Sequence, residues 1–260
     1  MTASLGHRCP GLDDRADMGV SLGTIFLSEL IGTAVLLLMG LGVAMNLQLV
    51  KTYGGSGTTL MGAFGWGLGV FCAIYLSGAS GAHINPAVTI GKVFEGSGEL
   101  ATGVTTSVGT VALYLAAQFI GAFIGSVLAW FVYRDHFDQT EDQTVQLKSM
   151  VTYPAIRRLS HNFLVEVIAT FVLVFVILSQ GDTPSGLGPL AVGLVVIGVG
   201  ITLGGNTNWS LNPARDLSAR IAFALLPIKG KGSADWSYWW PPVLGPLVGG
   251  ALAGLAAAAW

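Results

Sequence analysis

The chain has 260 residues, 52% of them hydrophobic and only 10% charged. A soluble domain carries about 25% charged residues, so this one lacks the polar surface to face water on all sides. Its net charge of −2 and lack of a basic patch exclude a nucleic-acid partner, and its two cysteines, Cys9 and Cys72, give no disulfide framework and no metal-ligand spacing.

In chain order, residues 1–20 form a polar tail containing Arg8, Asp13, Asp14, Arg15 and Asp17. The apolar run that follows is longer than a signal-peptide core and lacks a small-x-small cleavage site, so it reads as a retained span. About 20 apolar residues are needed to cross the hydrocarbon core. Six stretches qualify, near 21–46, 59–78, 104–133, 161–181, 187–205 and 239–259. Two shorter runs, near 86–95 and 213–225, are too short to cross. Each opens with Asn-Pro-Ala, at Asn85-Pro86-Ala87 and Asn212-Pro213-Ala214. Proline at the first helical position makes each triplet a helix start. Irregular backbone at membrane depth survives only inside protein or along a wet cavity. The two runs are therefore expected to be re-entrant half-helices.

The segment 134–160 is the one long charged stretch and reads as a linker between two copies of one unit. Phe26-Leu27-Ser28-Glu29-Leu30-Ile31-Gly32-Thr33 and Phe163-Leu164-Val165-Glu166-Val167-Ile168-Ala169-Thr170 carry Phe-Leu, Glu, Ile and Thr at the same offsets. Repeat one covers about 21–133 and repeat two about 161–259, within a single domain of 21–259. Three spans per repeat invert the second copy, so the half-helices enter from opposite faces and meet near the middle. The fold class is all-α membrane protein: six transmembrane helices plus two re-entrant half-helices in an inverted repeat. Glycine pairs at i, i+4 (Gly65/Gly69, Gly121/Gly125, Gly200/Gly204, Gly245/Gly249) are expected to let helices approach closely.

Asn85 and Asn212 can each cap a half-helix with the side-chain oxygen and offer N–H donors from the amide. Glu29 and Glu166 are intramembrane carboxylates, which cost about 2.5 kcal/mol or more unless partnered. Their pairing by repeat favours a structural role, each accepting N–H bonds from its own re-entrant loop, over a proton relay. Arg215 sits at a positive helix end, an unfavourable place for a cation. Aimed at a pore, it donates to oxygen ligands and repels cations and protons. Val88 holds the equivalent place in repeat one, so one constriction is expected rather than two. Asp216 and Arg220 are spaced for a helix ion pair. His83 reads as a hydrogen-bonded structural residue rather than a metal ligand. Asn208-Trp209-Ser210 matches a glycosylation sequon but falls inside the second loop. No nucleophile–base pair and no metal set is present, so no enzymatic role, cofactor or metal is expected.

Ser80-Gly81-Ala82-His83-Ile84-Asn85-Pro86-Ala87-Val88-Thr89 and Leu211-Asn212-Pro213-Ala214-Arg215-Asp216 resemble the two re-entrant loops of the major intrinsic protein family of aquaporins and glycerol facilitators. The resemblance runs over residues 21–259. It implies a homotetramer with one pore per subunit, passive flow, and cytoplasmic termini in the plasma (inner) membrane. A positive-inside count alone would put the N-terminus outside, but it rests on a short tail and a long linker. By matching to the family, Trp66, Gly200, Trp209 and Arg215 form the selectivity filter. Water-selective members usually place His where Gly200 stands. Asp216, Arg220 and Pro242-Val243 also resemble the glycerol-conducting branch. Trp209 departs from the Phe of the best-known glycerol channel, and Ser218-Ala219 from the usual Gly-Pro. The resemblance implies a passive channel for glycerol and similar polyols, with some water permeability. The alternatives are a water-dominant or small-solute (urea, ammonia, carbon dioxide) pore of the same fold, and a proton-coupled transporter using Glu29 and Glu166.

Overall fold

The structure, a computed structural model, describes residues 20–180 and 186–260. Cys9, the tail charges and the last residue of the predicted fourth span lie outside the described residues. Among the described residues, five helices are long and apolar enough to cross a membrane: α1 (Leu22–Gln48), α2 (Thr59–Leu76), α4 (Val108–Val132), α7 (Leu159–Ser179) and α10 (Trp240–Ala259). The half-helices α3 (Pro86–Glu95) and α9 (Pro213–Leu225) start at the two prolines, as expected. The protein is an integral, multi-pass membrane protein.

Three predicted elements differ in detail. The fifth span forms the 15-residue α8 (Pro189–Leu203), at about 1.5 Å per residue shorter than the hydrocarbon core. Gly186 and Gly188 turn the chain at positive φ before it, and Gly204 opens the loop after it. The third span starts at residue 108 rather than 104. Val104–Thr105 (β2) instead pairs antiparallel with Glu99–Ala101 (β1), and Ser107 closes a capping box with Thr110 ahead of α4. The linker contains two short helices, α5 (Arg134–Gln139) and α6 (Gln143–Lys148), rather than coil alone.

The packing follows the repeat. In one half α1 packs on α4 and α2; in the other α7 packs on α10 and α8. Each half-helix rests against the last span of the other half, α3 on α10 and α9 on α4, so the halves interlock. Glycines make these approaches possible. A Cβ at Gly121, Gly125 or Gly249 would collide with the carbonyl oxygen of Leu30, Ala34 or Val167. At Gly65 it would meet Val43 Cβ at 2.6 Å. Such contacts let backbones touch where lipid supplies no hydrophobic drive. Gly204 breaks the pattern by facing the Trp209 indole, and Gly200 is shared between that ring and Ala63 of α2.

Candidate functional site

Glu29 and Glu166 shape the two loops. Glu29 is fully buried and accepts the backbone N–H groups of His83 (2.9 Å) and Ile84 (2.7 Å). It also accepts Ser80 Oγ (2.6 Å) and Gln118 Nε2 (2.8 Å). Glu166, equally buried, accepts the N–H groups of Ser210 (3.0 Å) and Leu211 (3.1 Å). In both loops the bonded residues lie two and one before the asparagine. Turning these N–H groups to a carboxylate bends the chain through left-handed backbone at Ala82, Ile84, Trp209 and Leu211, none of them glycine. Such conformations cost about 1–3 kcal/mol each and persist only when their surroundings hold them.

With the N–H groups turned inward, the carbonyls are left free. Among the described residues no hydrogen bond reaches those of Gly81, Ala82, His83, Trp209 or Ser210. All five residues line a cavity of about 590 Å³. Free backbone acceptors at this depth need water or a solute to satisfy them. His83 is tied on both ring nitrogens, to Thr89 Oγ1 (3.0 Å) and the Leu100 carbonyl (2.8 Å), which pins the first loop to β1.

Asn85 and Asn212 bind each other's loops. Asn85 Nδ2 donates to the Leu211 carbonyl (2.9 Å), and Asn212 Nδ2 to the Ile84 carbonyl (3.0 Å). Their Oδ1 atoms cap the half-helices, Asn85 accepting from Ala87 N and Asn212 from Ala214 N and Arg215 N. An amide carries two N–H bonds, and one on each asparagine is used. The other has no protein acceptor among the described residues, and both asparagines line the cavity. Two positive helix ends and two spare donors thus meet at one level.

Arg215, Trp66 and Trp209 also line the cavity. The Arg215 guanidinium lies 4.6 Å over the Trp66 ring, and its Nη1 reaches the Met150 carbonyl at 3.4 Å. Gly200 is placed differently from the sequence expectation. It is not among the cavity-lining residues; its missing side chain makes room for Trp209 and for Ala63 of α2, whose Cε2 and Cβ would each sit 3.2 Å from an added Cβ. The same cavity is also lined by the aliphatic side chains of Leu36, Val70, Val88, Leu173, Val192 and Val196.

Asp216 and Arg220 form the expected ion pair, both fully buried (2.8 Å). Asp216 also accepts Thr152 N (2.9 Å) and the Thr152 hydroxyl, while Arg220 Nη1 donates to the Ala234 carbonyl (2.7 Å). The pair fastens the linker and the loop after α9 onto that half-helix. Thr152 and Ala234 carry no sequence signal for this, since they are ordinary residues placed by the chain's return.

Pro246 adds a second device that spacing did not reveal. It cannot donate to the Pro242 carbonyl four residues back. Ser210 Oγ donates to that carbonyl instead (2.8 Å), docking the second loop on α10.

The Major intrinsic protein family model matches residues 20–257. The glycerol uptake facilitator protein of Bacillus subtilis (strain 168) is 44% identical over 235 residues, covering 89% of this chain and 83% of the relative. The probable glycerol uptake facilitator protein of Thermotoga maritima is 41% identical over 232 residues, covering 88% and 96%. Among solved structures, the aquaglyceroporin from Plasmodium falciparum superposes with a TM-score of 0.75 at 30% identity, covering 90% of this chain and 94% of that one.

Proposed function

The chain belongs to the major intrinsic protein family, and we propose that it is a passive channel for glycerol and other small neutral polyols, with some permeability to water. The observation that carries this reading is the mixed lining of the lumen. Aliphatic side chains share it with two spare asparagine N–H groups and a set of free carbonyls. A linear polyol has matching faces, carbon on one side and hydroxyls on the other. Each hydroxyl both donates and accepts, so it replaces water on both kinds of polar group without a large desolvation cost.

In this reading Asn85 and Asn212 donate to permeant oxygens at the centre. Trp66, Trp209 and Arg215 set the filter, with Gly200 acting through Trp209. Glu29, Glu166 and His83 support the loops. Repeat one (21–133), the linker (134–160) and repeat two (161–259) build one channel domain behind the 1–20 tail. The protein works in the plasma membrane as a homotetramer with cytoplasmic termini, without cofactor, metal or catalytic step. Every Glu29 oxygen is already engaged by donors, which speaks against a proton relay through it.

Stopped-flow light scattering on proteoliposomes tests the reading, comparing a glycerol gradient with a sucrose gradient. Vesicles should shrink and re-swell in glycerol at a rate that tracks protein amount, and only shrink in sucrose. Fast water exit without glycerol re-entry would instead select the water-dominant pore.

A further inference from the structure

Both filter indoles rest on glycines of neighbouring segments. A Cβ built on Gly40, in the middle of α1, would overlap Cε3 and Cζ3 of Trp66 and lie 2.6 Å from its Cδ2; nothing else is as near. A Cβ on Gly204, at the end of α8, would overlap Trp209 Cε3 and lie 2.7 Å from its Cδ2. Gly200 extends this second seat along Cε2 and Cζ2 of the same ring. Gly40 and Gly204 do not line the cavity, whereas Trp66 and Trp209 do.

We propose that Gly40 and Gly204 are specificity-determining positions, seats that hold the two indoles back from the lumen and so set its width at Arg215. Protein interiors are close-packed, so an added methyl beneath a ring must displace something. For Gly40 the displaced group is the far end of a side chain. The backbone of α1 has no reason to move, because alanine is the better helix former. The same Trp66 ring lines the cavity and carries the Arg215 guanidinium 4.6 Å from its centre. An indole pushed off its seat therefore narrows the path that a polyol must pass, and leaves the fold intact. Gly204 has a second close neighbour, since its added Cβ would lie 2.5 Å from the Gly200 carbonyl oxygen. Substitution there has two candidate causes, which a double variant separates.

The proposal rests on the filter reading above. In proteoliposomes with matched protein content, Gly40→Ala and Gly204→Ala should each lower glycerol permeability by about tenfold or more, with water permeability reduced far less. Adding Trp66→Phe to Gly40→Ala, and Trp209→Phe to Gly204→Ala, should restore glycerol flux to that of the Phe variant alone. Alanine variants that keep full glycerol flux overturn the seats. So does a Gly40→Ala/Trp66→Phe pair that stays as slow as Gly40→Ala. If Gly204→Ala fails to insert, its Trp209→Phe double variant decides. Recovery of insertion and flux supports the seat; continued failure assigns the clash to the Gly200 carbonyl and removes Gly204. A permeant-independent readout keeps this separate from the glycerol reading. In 5-fluorotryptophan protein, the Trp66 resonance should shift in Gly40→Ala and that of Trp209 in Gly204→Ala. Unmoved resonances overturn the seats, whereas wild-type vesicles that carry no glycerol overturn only the glycerol reading.

Discussion

Glu29 and Glu166 occupy equivalent places in the two repeats but carry unequal loads. Glu29 receives four donors, two backbone and two side-chain, whereas Glu166 takes the backbone N–H groups of Ser210 and Leu211 with the Thr207 hydroxyl beside it. Glutamine in either place turns an NH2 toward groups that are themselves donors. Hydrogen bonds to a charged group contribute about 1.5–3 kcal/mol each, and stranding buried donors costs more. Glu29→Gln should therefore lower the thermal unfolding temperature in detergent further than Glu166→Gln, as read by intrinsic fluorescence. An equal or reversed order would show that the hydrogen-bond count does not govern loop stability. Because both carboxylates are committed to structure, an imposed proton gradient should not drive glycerol uphill, and radiolabelled glycerol in energised proteoliposomes would reveal any accumulation. At Gly200, valine or histidine would crowd Trp209 against the lumen and Ala63 on α2, and glycerol flux should fall by about tenfold, roughly 1.4 kcal/mol of added barrier. Full glycerol flux in a well-inserted Gly200→Val protein would detach Gly200 from the filter.

Half-helix α9 is the element on which the two outer segments converge. Its buried Asp216–Arg220 pair binds Thr152 on one side and Ala234 on the other. Asp216→Asn leaves the Arg220 charge without its carboxylate, and breaking a buried pair this way costs about 3–5 kcal/mol. Thr152 lies two residues from Met150, whose carbonyl meets Arg215. The substitution should thus destabilise the protein and also relax the filter. The expected sign is a raised ratio of five-carbon to three-carbon polyol flux in whatever protein inserts; an unchanged ratio would uncouple the linker from Arg215. Further out, Arg157 holds Asp235 through two hydrogen bonds (2.7 and 2.8 Å). Burial alone would raise the Asp235 pKa, but the bonds from Arg157 and Ser237 outweigh it and hold it below the usual carboxylate range. A depressed carboxylate stabilises fully above its unfolded pKa and loses that contribution as pH falls through the folded value. Hydrogen exchange in 153–158 and 233–238, corrected for intrinsic rates, should therefore stay slow from neutral pH down to the carboxylate range and accelerate only below it.

At the scale of the whole molecule, the interlocked halves bring two helix N-termini and one guanidinium to a single narrow path. Their positive potential opposes cations and protons. Proteoliposomes with good glycerol flux should show no proton leak beyond that of protein-free vesicles, measured with an entrapped pH dye. A leak proportional to protein content would mean that this field is too weak to exclude protons.

The duplicated Asn-Pro-Ala triplets, the repeat-paired glutamates and five long apolar spans are written in the order of residues alone. They determined the inverted all-α membrane fold and both half-helix starts. The reason is that lipid leaves so few options: backbone must be helical or sheltered, and an intramembrane carboxylate must have donors. What needed the tertiary structure lies between segments distant in sequence. Gly200/Gly204 has the same spacing as three helix-packing pairs, and only the return of the second loop adds Trp209 to that surface. Gly40 beneath Trp66, the Met150 carbonyl at Arg215 and the Ser210 bond to Pro242 are likewise contacts across elements. Periodicity along one helix cannot report such contacts, because a residue's neighbour there is set by how whole helices cross rather than by its own segment.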